Sequence, residues 1–282
     1  MGGPFGSGRE ADGPASGSGR RLTTLRAVVE YDGTNFCGMQ YQPSARTVAG
    51  ELQKTFSAIL RHRIAVTSAG RTDSGVHATG QVVSFKTQAA FPFDRLAIAA
   101  NSSLPCDVRI RAAEIVPDEF SARFSASQRT YVYAIYNSPN PSPLLSRYAY
   151  HVWNDLDADV MARAAKPLIG THDFRSFCGM LPQSGPTVRT VTLLRIERKE
   201  RLIRIEIRAD GFLHRMVRTI VGTLVDCATG RRDPASVDAI LAARERAAAG
   251  RTAPAHGLYL AGVRYTDGFD SFCEPPIAAA FV

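Results

Sequence analysis

The sequence predicts an α/β protein of the α+β kind, built as two halves with mainly antiparallel sheets and helices packed against them. Three observations predict it. Between residues 25 and 116, apolar runs and amphipathic stretches follow one another as β-α-β-β-α-β. That is the order of the ferredoxin-like unit, four antiparallel strands with both helices on one face. A looser version of the pattern restarts from Ser121, and 282 residues suffice for two units of ordinary domain size. The division expected is a disordered tail over 1–22, an N-terminal α/β domain over 23–120 and a C-terminal α/β domain over 121–282.

In the first half, residues 25–31 read as a buried strand that Asp32-Gly33 ends with a turn signal. Val48, Leu52, Phe56, Ile59 and Leu60 fall on one face of a helix. Residues 64–67 and 82–85 read as strands flanking a polar, glycine-rich loop, and a helix over 93–100 and a strand over 108–116 complete the unit. In the second half, 131–136 and 148–152 read as strands and 158–169 as a helix. Residues 188–198 and 202–209 form a hairpin. Within it Ile203, Ile205 and Ile207 alternate with Arg204, Glu206 and Arg208, the period of a strand with one wet, charged face. Leu213, Met216, Val217, Ile220, Val221, Leu224 and Val225 make the core stripe of an amphipathic helix. His214, Arg215 and Arg218 flank that stripe near its start, where dipole and arginine charge favour an anion; a solvated basic flank is the plainer alternative. A helix over 234–248 and a strand over 258–263 end the half.

Lysine and arginine number 34 against 26 acidic residues, a formal charge of +8. The excess favours a polyanionic partner, most simply nucleic acid, although charge alone fits a well-solvated basic protein equally. Arg71, Arg123, Arg129, Arg175, Arg189, Arg215 and Arg218 stand near expected loops, and guanidinium groups suit phosphates and stack on bases. Five scattered cysteines with no C-x-x-C pair argue against a disulfide framework or a zinc knuckle. Six histidines form neither H-E-x-x-H nor a tight cluster, so a metal hydrolase has little support. The reading is a reduced, cytoplasmic, metal-free protein. Its first twenty residues are rich in glycine, serine and proline and lack the apolar core of a signal peptide. No stretch reaches the roughly 18 consecutive apolar residues of a membrane span.

The polar loop, residues 68–81, is the most informative stretch. Gly70, Gly75 and Gly80 allow sharp turns or close approach of a ligand, and Asp73 is its single carboxylate. An aspartate held on a rigid turn can act as nucleophile or base. For an isolated loop of this composition, an aspartate that merely caps the turn is the commoner case.

Gly70-Arg71-Thr72-Asp73-Ser74-Gly75-Val76-His77-Ala78-Thr79-Gly80-Gln81-Val82 closely resembles the catalytic motif of the TruA family of tRNA pseudouridine synthases. Similar segments recur in order: Glu30-Tyr31-Asp32-Gly33, Phe120-Ser121-Ala122-Arg123-Phe124-Ser125-Ala126, Tyr131-Val132-Tyr133, His172-Asp173-Phe174, Arg189-Thr190-Val191, Phe212-Leu213-His214-Arg215-Met216-Val217-Arg218 and Gly257-Leu258-Tyr259-Leu260. The resemblance implies an isomerase that converts uridine to pseudouridine at positions 38, 39 and 40 in the anticodon stem-loop of tRNA. It implies no cofactor or metal, and a homodimer whose α/β halves meet at a central RNA-binding cleft. By the same resemblance Asp73 is the nucleophile, Arg218 its basic partner and Tyr131 the tyrosine that lies against the target base. Arg71 fills the gap left by the flipped nucleotide, and Gly75, His77 and Gln81 join Tyr131 and Arg71 as substrate-binding positions. The chain departs from the family pattern at Ser74, where alanine is common, and at Gly38-Met39-Gln40, where Gly-Trp-Gln is common.

Two other classes fit parts of the sequence. A non-catalytic RNA-binding protein needs the basic surface but not Asp73, Tyr131 and Arg218 together. A carboxylate-dependent nucleoside or glycoside hydrolase ordinarily pairs two carboxylates, and the loop offers only Asp73.

Overall fold

The computed structural model describes residues 22–183 and 185–281. Apart from Leu22, the tail expected over 1–22 lies outside the described residues. The first half runs β1 (Thr23–Tyr31), α1 (Val48–Leu60), β2 (Thr67–Ser68), β3 (His77–Thr87), α2 (Leu96–Asn101) and β4 (Val108–Val116). The second runs β5 (Ala126–Asn137), β6 (Tyr150–Val152), α3 (Ala158–Ala165), β7 (Gly170–Asp173), β8 (Val188–Lys199), β9 (Leu202–Ala209), α4 (Met216–Ala228), α5 (Val237–Ala243) and β10 (Leu258–Tyr265).

Ten strands form one sheet in the order β4-β1-β3-β10-β5-β9-β8-β7, with β2 on β3 and β6 on β5. The first half contributes β4-β1-β3-β2, all antiparallel. In the second half β10-β5-β9-β8 repeats that arrangement, again all antiparallel. Each is the strand order of a ferredoxin-like unit, so the α+β architecture expected from element order is present twice. A short parallel pairing joins the two units, Tyr259 beside His77 and Leu260 beside Ala78. One apolar core runs under both, from Leu25, Phe56 and Phe85 to Ile205, Val221 and Leu260.

The junction places the loop. One edge of β3 is covered by β1; along the other, β2 pairs with Val83 and Ser84 and β10 with His77 and Ala78. Residues 69–76 leave β2 and re-enter β3 across this handover, so the loop stands on the seam between the two units.

Several elements differ from the sequence expectation. The strand expected over 64–67 is only Thr67–Ser68, and β3 begins at His77, which shortens the loop. His77–Gln81 look like loop because they are polar, yet nearly the whole strand is buried on both faces. Specific bonds replace apolar alternation there: Thr79 Oγ1 donates to Cys273 O, and Ser271 Oγ donates to Gly80 O at 2.7 Å. The helices expected over 93–100, 158–169 and 234–248 are shorter α-helices flanked by 3-10 turns. α4 starts at Met216, leaving His214 and Arg215 in the preceding turn, with Arg215 left-handed at φ 59°.

The expected wet face of β9 is also corrected. Arg204 and Glu206 are buried, because the segment after β10 folds over that face and sets Glu274 against Arg204. Arg204 lies 2.7 Å from Glu274 and 2.8 Å from Glu206, so the charges are neutralised within the fold.

Candidate active site

The loop is rigid because its neighbours hold its backbone. Gln81 in β3 receives the Gly70 amide at 3.2 Å and donates to the Gly70 carbonyl at 2.8 Å, as a second strand would. The Thr72 carbonyl accepts from the Met39 amide at 3.1 Å, and its hydroxyl lies 2.8 Å from that of Tyr31. Burial pushes the Tyr31 phenol up to about 12, so this bond joins two neutral hydroxyls at neutral pH. Ser74 uses its hydroxyl on the Phe36 carbonyl, 3.0 Å away. A serine beside Asp73 is thus absorbed into loop structure. Met39 is fully buried, so the missing tryptophan at this position removes no surface plate.

Asp73 sits at the turn that the loop makes before β3, its carbonyl accepting from Val76 at 3.2 Å. Its Oδ2 accepts from Arg218 Nη1 at 2.7 Å, and its Oδ1 lies 3.7 Å from His214 Nε2. The pair is sheltered but open, with the arginine 15% and the aspartate 24% exposed. Arg218 occupies the first turn of α4, and a second clamp fixes its angle. Nε donates to Ala253 O at 2.8 Å, while the Ala253 amide donates to Arg218 O at 2.9 Å. A cation held this way keeps one of the carboxylate's oxygens occupied.

Asp73 and Arg218 open into a cavity of about 1110 Å³. Tyr131 of β5 lies in its wall, 7% exposed, with its ring edge-on to Phe212 at 5.0 Å. A Cβ at Gly70 would stand 3.4 Å from the Tyr131 hydroxyl, so the glycine admits that close approach. Burial raises the Tyr131 phenol above the ordinary tyrosine range, with Tyr31 and Asp73 adding to the shift. The hydroxyl therefore remains protonated at neutral pH.

Of the seven arginines singled out from the sequence, Arg71, Arg123, Arg129, Arg189, Arg215 and Arg218 line this cavity; Arg175 does not. Arg129 spends its donors on the carbonyls of Ala69, Arg123, Ala126 and Asp210, drawing three segments of the wall together. Arg71 is exposed at the rim and reaches no hydrogen-bonding or charged partner among the described residues. Asp73 and Asp210 are the acidic side chains in the lining, so the cavity is strongly positive.

His77, Gln81 and Gly75 stand behind the loop instead of in the cavity lining. His77 is buried, accepts the Gly33 amide at Nδ1 (3.1 Å) and lies 2.9 Å from Arg147 O at Nε2. These partners define a neutral ring with its proton on Nε2, so the nearby Asp32 makes no full ion pair with it. Burial lowers the His77 pKa against the opposing pull of Asp32. Gly75 supplies a left-handed turn at φ 79°. Sequence reading missed Tyr31, Thr72 and Phe212 as parts of the site. Phe212 carried a signal, since it opens the segment that ends in Arg218. The link from Tyr31 to Thr72 crosses 41 positions and left none. No cluster of three or more His, Cys, Asp or Glu able to hold a metal occurs among the described residues.

A sheltered carboxylate at a seam between two α/β units, facing a large arginine-lined cavity, defines an enzyme that acts on a polyanion. Residues 27–125 and 164–266 match the family model described as tRNA pseudouridine synthase. The tRNA pseudouridine synthase A of Halalkalibacterium halodurans is 46% identical over 241 residues, covering 85% of this chain and 92% of that protein. That of Bacillus subtilis strain 168 is 45% identical over 243 residues, 86% of this chain and 98% of the relative. That of Acetivibrio thermocellus is 41% identical over 244 residues, 86% of this chain and the whole of the relative. The chain belongs to the tRNA pseudouridine synthase family, and it is an isomerase acting on tRNA.

Proposed function

We propose that the chain converts uridine to pseudouridine at positions 38, 39 and 40 of the tRNA anticodon stem-loop, with Asp73 as the nucleophile. The observation that carries this reading is the asymmetry of the Asp73 carboxylate. Oδ2 is held by Arg218 at 2.7 Å, whereas Oδ1 accepts no hydrogen bond among the described residues and lies 3.7 Å from His214 Nε2. One oxygen fixes the group and the other is left to form a bond.

The reaction breaks the bond from ribose C1′ to N1 and makes one from C1′ to C5 of the same base. The proton on C5 is released, N1 gains one, and no electrons enter or leave the nucleotide. A positioned carboxylate meets the main requirement, whether it attacks the base or the sugar. Arg218 holds that carboxylate in place before attack and stabilises its charge again as leaving group. Tyr131 offers a ring face to the base and a neutral hydroxyl that can pass a proton. The target uridine has to leave its stack to meet Asp73. The cavity exceeds the roughly 300–1,000 Å³ of ordinary small-molecule pockets and has room for a flipped nucleotide with adjoining backbone. Arg71, which has no hydrogen-bonding or charged partner among the described residues, fills the gap in the stem in this reading. Gly75, His77 and Gln81 serve the substrate by fixing the loop that carries Asp73 and Arg71.

In this reading the domain over 23–120 supplies Asp73 and Arg71, and the domain over 121–282 supplies Tyr131 and Arg218. The family resemblance supports a cytoplasmic homodimer with tRNA lying across both subunits, and sedimentation with and without tRNA tests the assembly. The reaction is tested by tritium release from tRNA labelled at C5 of uridine. Release by the protein, and none by Asp73→Asn with tRNA binding retained, is expected. Binding without release from either protein would leave a non-catalytic RNA-binding protein.

A further inference from the structure

Phe124 lines the cavity and is 79% exposed, and the reaction as described gives it no part. A single apolar ring in water is ordinary on a protein surface, but three observations set this one apart. The first is that its loop is pinned. The Ser121 amide donates to Ser125 Oγ and the Ser125 amide to Ser121 O, both at 3.0 Å. Between them the Ala122 amide donates to Ser84 Oγ at 3.0 Å, and the Ala122 carbonyl accepts from the Tyr265 hydroxyl at 2.8 Å. The ring therefore projects from a fixed backbone.

The second is that this loop is tied to the one bearing Asp73. Arg129 Nη2 donates to Ala69 O at 3.3 Å and to Arg123 O at 2.5 Å, so a single nitrogen holds the carbonyl before Gly70 beside the carbonyl before Phe124. Arg71 and Phe124 leave that shared anchor within two residues of it, and both are exposed cavity-lining side chains. The third is that the ring is uncovered. Its charged neighbour is the Arg123 guanidinium, 5.1 Å from the centroid, and no other aromatic ring meets it among the described residues.

We propose that Phe124 is a substrate-binding residue, a platform on which an unpaired base of the tRNA adjoining the target uridine stacks. The positive cavity draws in the phosphate backbone, and aromatic side chains hold unstacked RNA bases by their faces. Removing the uridine from its stack leaves a neighbouring base with one face bare. Arg71 fills the gap itself, and Phe124, set beside it by the Arg129 anchor, covers the base at the cavity mouth. Because the loop is pinned before RNA arrives, little ordering opposes the contact. No covalent bond changes in this step.

This inference rests on the proposed action on tRNA, but not on the part given to Asp73. Its test measures tRNA binding by fluorescence anisotropy, and single-turnover tritium release over a range of protein concentrations, for the unsubstituted chain, Phe124→Ala, Phe124→Leu and Phe124→Trp. Phe124→Ala is expected to raise the dissociation constant and the half-saturating concentration by about 5- to 150-fold, the loss of one stacked base. The saturated rate should change little. Phe124→Leu keeps an apolar side chain without a π face and is expected to stay weak, whereas Phe124→Trp restores binding. Salt should weaken the unsubstituted chain and Phe124→Ala with the same slope, because stacking releases no counterions. The melting midpoint of Phe124→Ala should match that of the unsubstituted chain, since the ring is exposed.

Unchanged binding by Phe124→Ala overturns the inference, as does rescue by leucine as complete as by tryptophan, which would show an apolar contact without stacking. A lowered melting midpoint or altered sedimentation of Phe124→Ala also overturns it, placing the ring in the fold or between copies of the chain. Absence of tritium release from the unsubstituted chain overturns the proposed reaction instead, and the binding measurements still decide the part of Phe124.

Discussion

At the scale of single residues, the site depends on pairs whose members the sequence keeps far apart. Asp73 and Arg218 are 145 positions apart, and neither spacing nor local pattern joins them; only a resemblance over the whole motif set brought them together. Replacing Arg218 by methionine keeps the stem but leaves a sheltered carboxylate without its cation. A loss of about 10²–10³ in single-turnover rate is expected, the scale seen when one preorganised charge donor is removed; a rate within twofold would show that the pair is structural. The histidines behind the loop make a different prediction. His77 and His256 are held below their ordinary value of 6.5 by burial, so the unfolded chain takes up protons more readily than the folded one. Stability is then full above that value and declines as pH drops beneath it. Thermal melts at about pH 7.5 and 5.5 should show the midpoint falling, and His77→Asn should flatten the fall while costing about 1–3 kcal/mol in buried hydrogen bonds. A midpoint that rises on acidification would refute this assignment.

At the scale of elements, legibility followed apolar periodicity. α1 and α4 were plain, because Val48, Leu52 and Phe56 in one and Met216, Ile220 and Leu224 in the other mark single buried faces. β3 was half hidden, since a strand covered on both sides has no alternation and its polar residues are satisfied by partners such as Ser271 and Cys273, almost two hundred positions away. The charge on β9 read as a wet face for the same reason, Glu274 being 70 positions distant from Arg204. β7 is only four residues long and carried no pattern. One element contact is directly testable. A Cβ on Gly222 in α4 would stand 1.7 Å from Arg251 O, so α4 approaches the 250–253 segment as closely as backbone permits. Gly222→Ala should therefore cost about 1–3 kcal/mol or more from overpacking. It should also reduce turnover, because that segment provides the carbonyl that orients Arg218. Unchanged stability would mean that the two segments separate without cost.

At the scale of the whole molecule, two ferredoxin-like units are fused through β10, which bonds to β3 on one side and β5 on the other. The repeated strand order was anticipated from the order of elements, but the fusion into one sheet was not, because a short parallel pairing of Tyr259 with His77 and Leu260 with Ala78 leaves no local trace. A core continuous under both units is expected to melt in a single cooperative transition, with calorimetric and van't Hoff enthalpies in agreement. Two resolved transitions would show that the units are energetically independent. The position of β10 also bears on biosynthesis. The loop bearing Asp73 leaves the ribosome early, but the strand that completes the edge beside it, and sets Leu260 against Gly70, is translated almost two hundred codons later. Contacts so distant in sequence form slowly. Until they form, a nascent chain carries Asp73 without the cavity walls that Tyr131, Phe212 and Leu258 contribute.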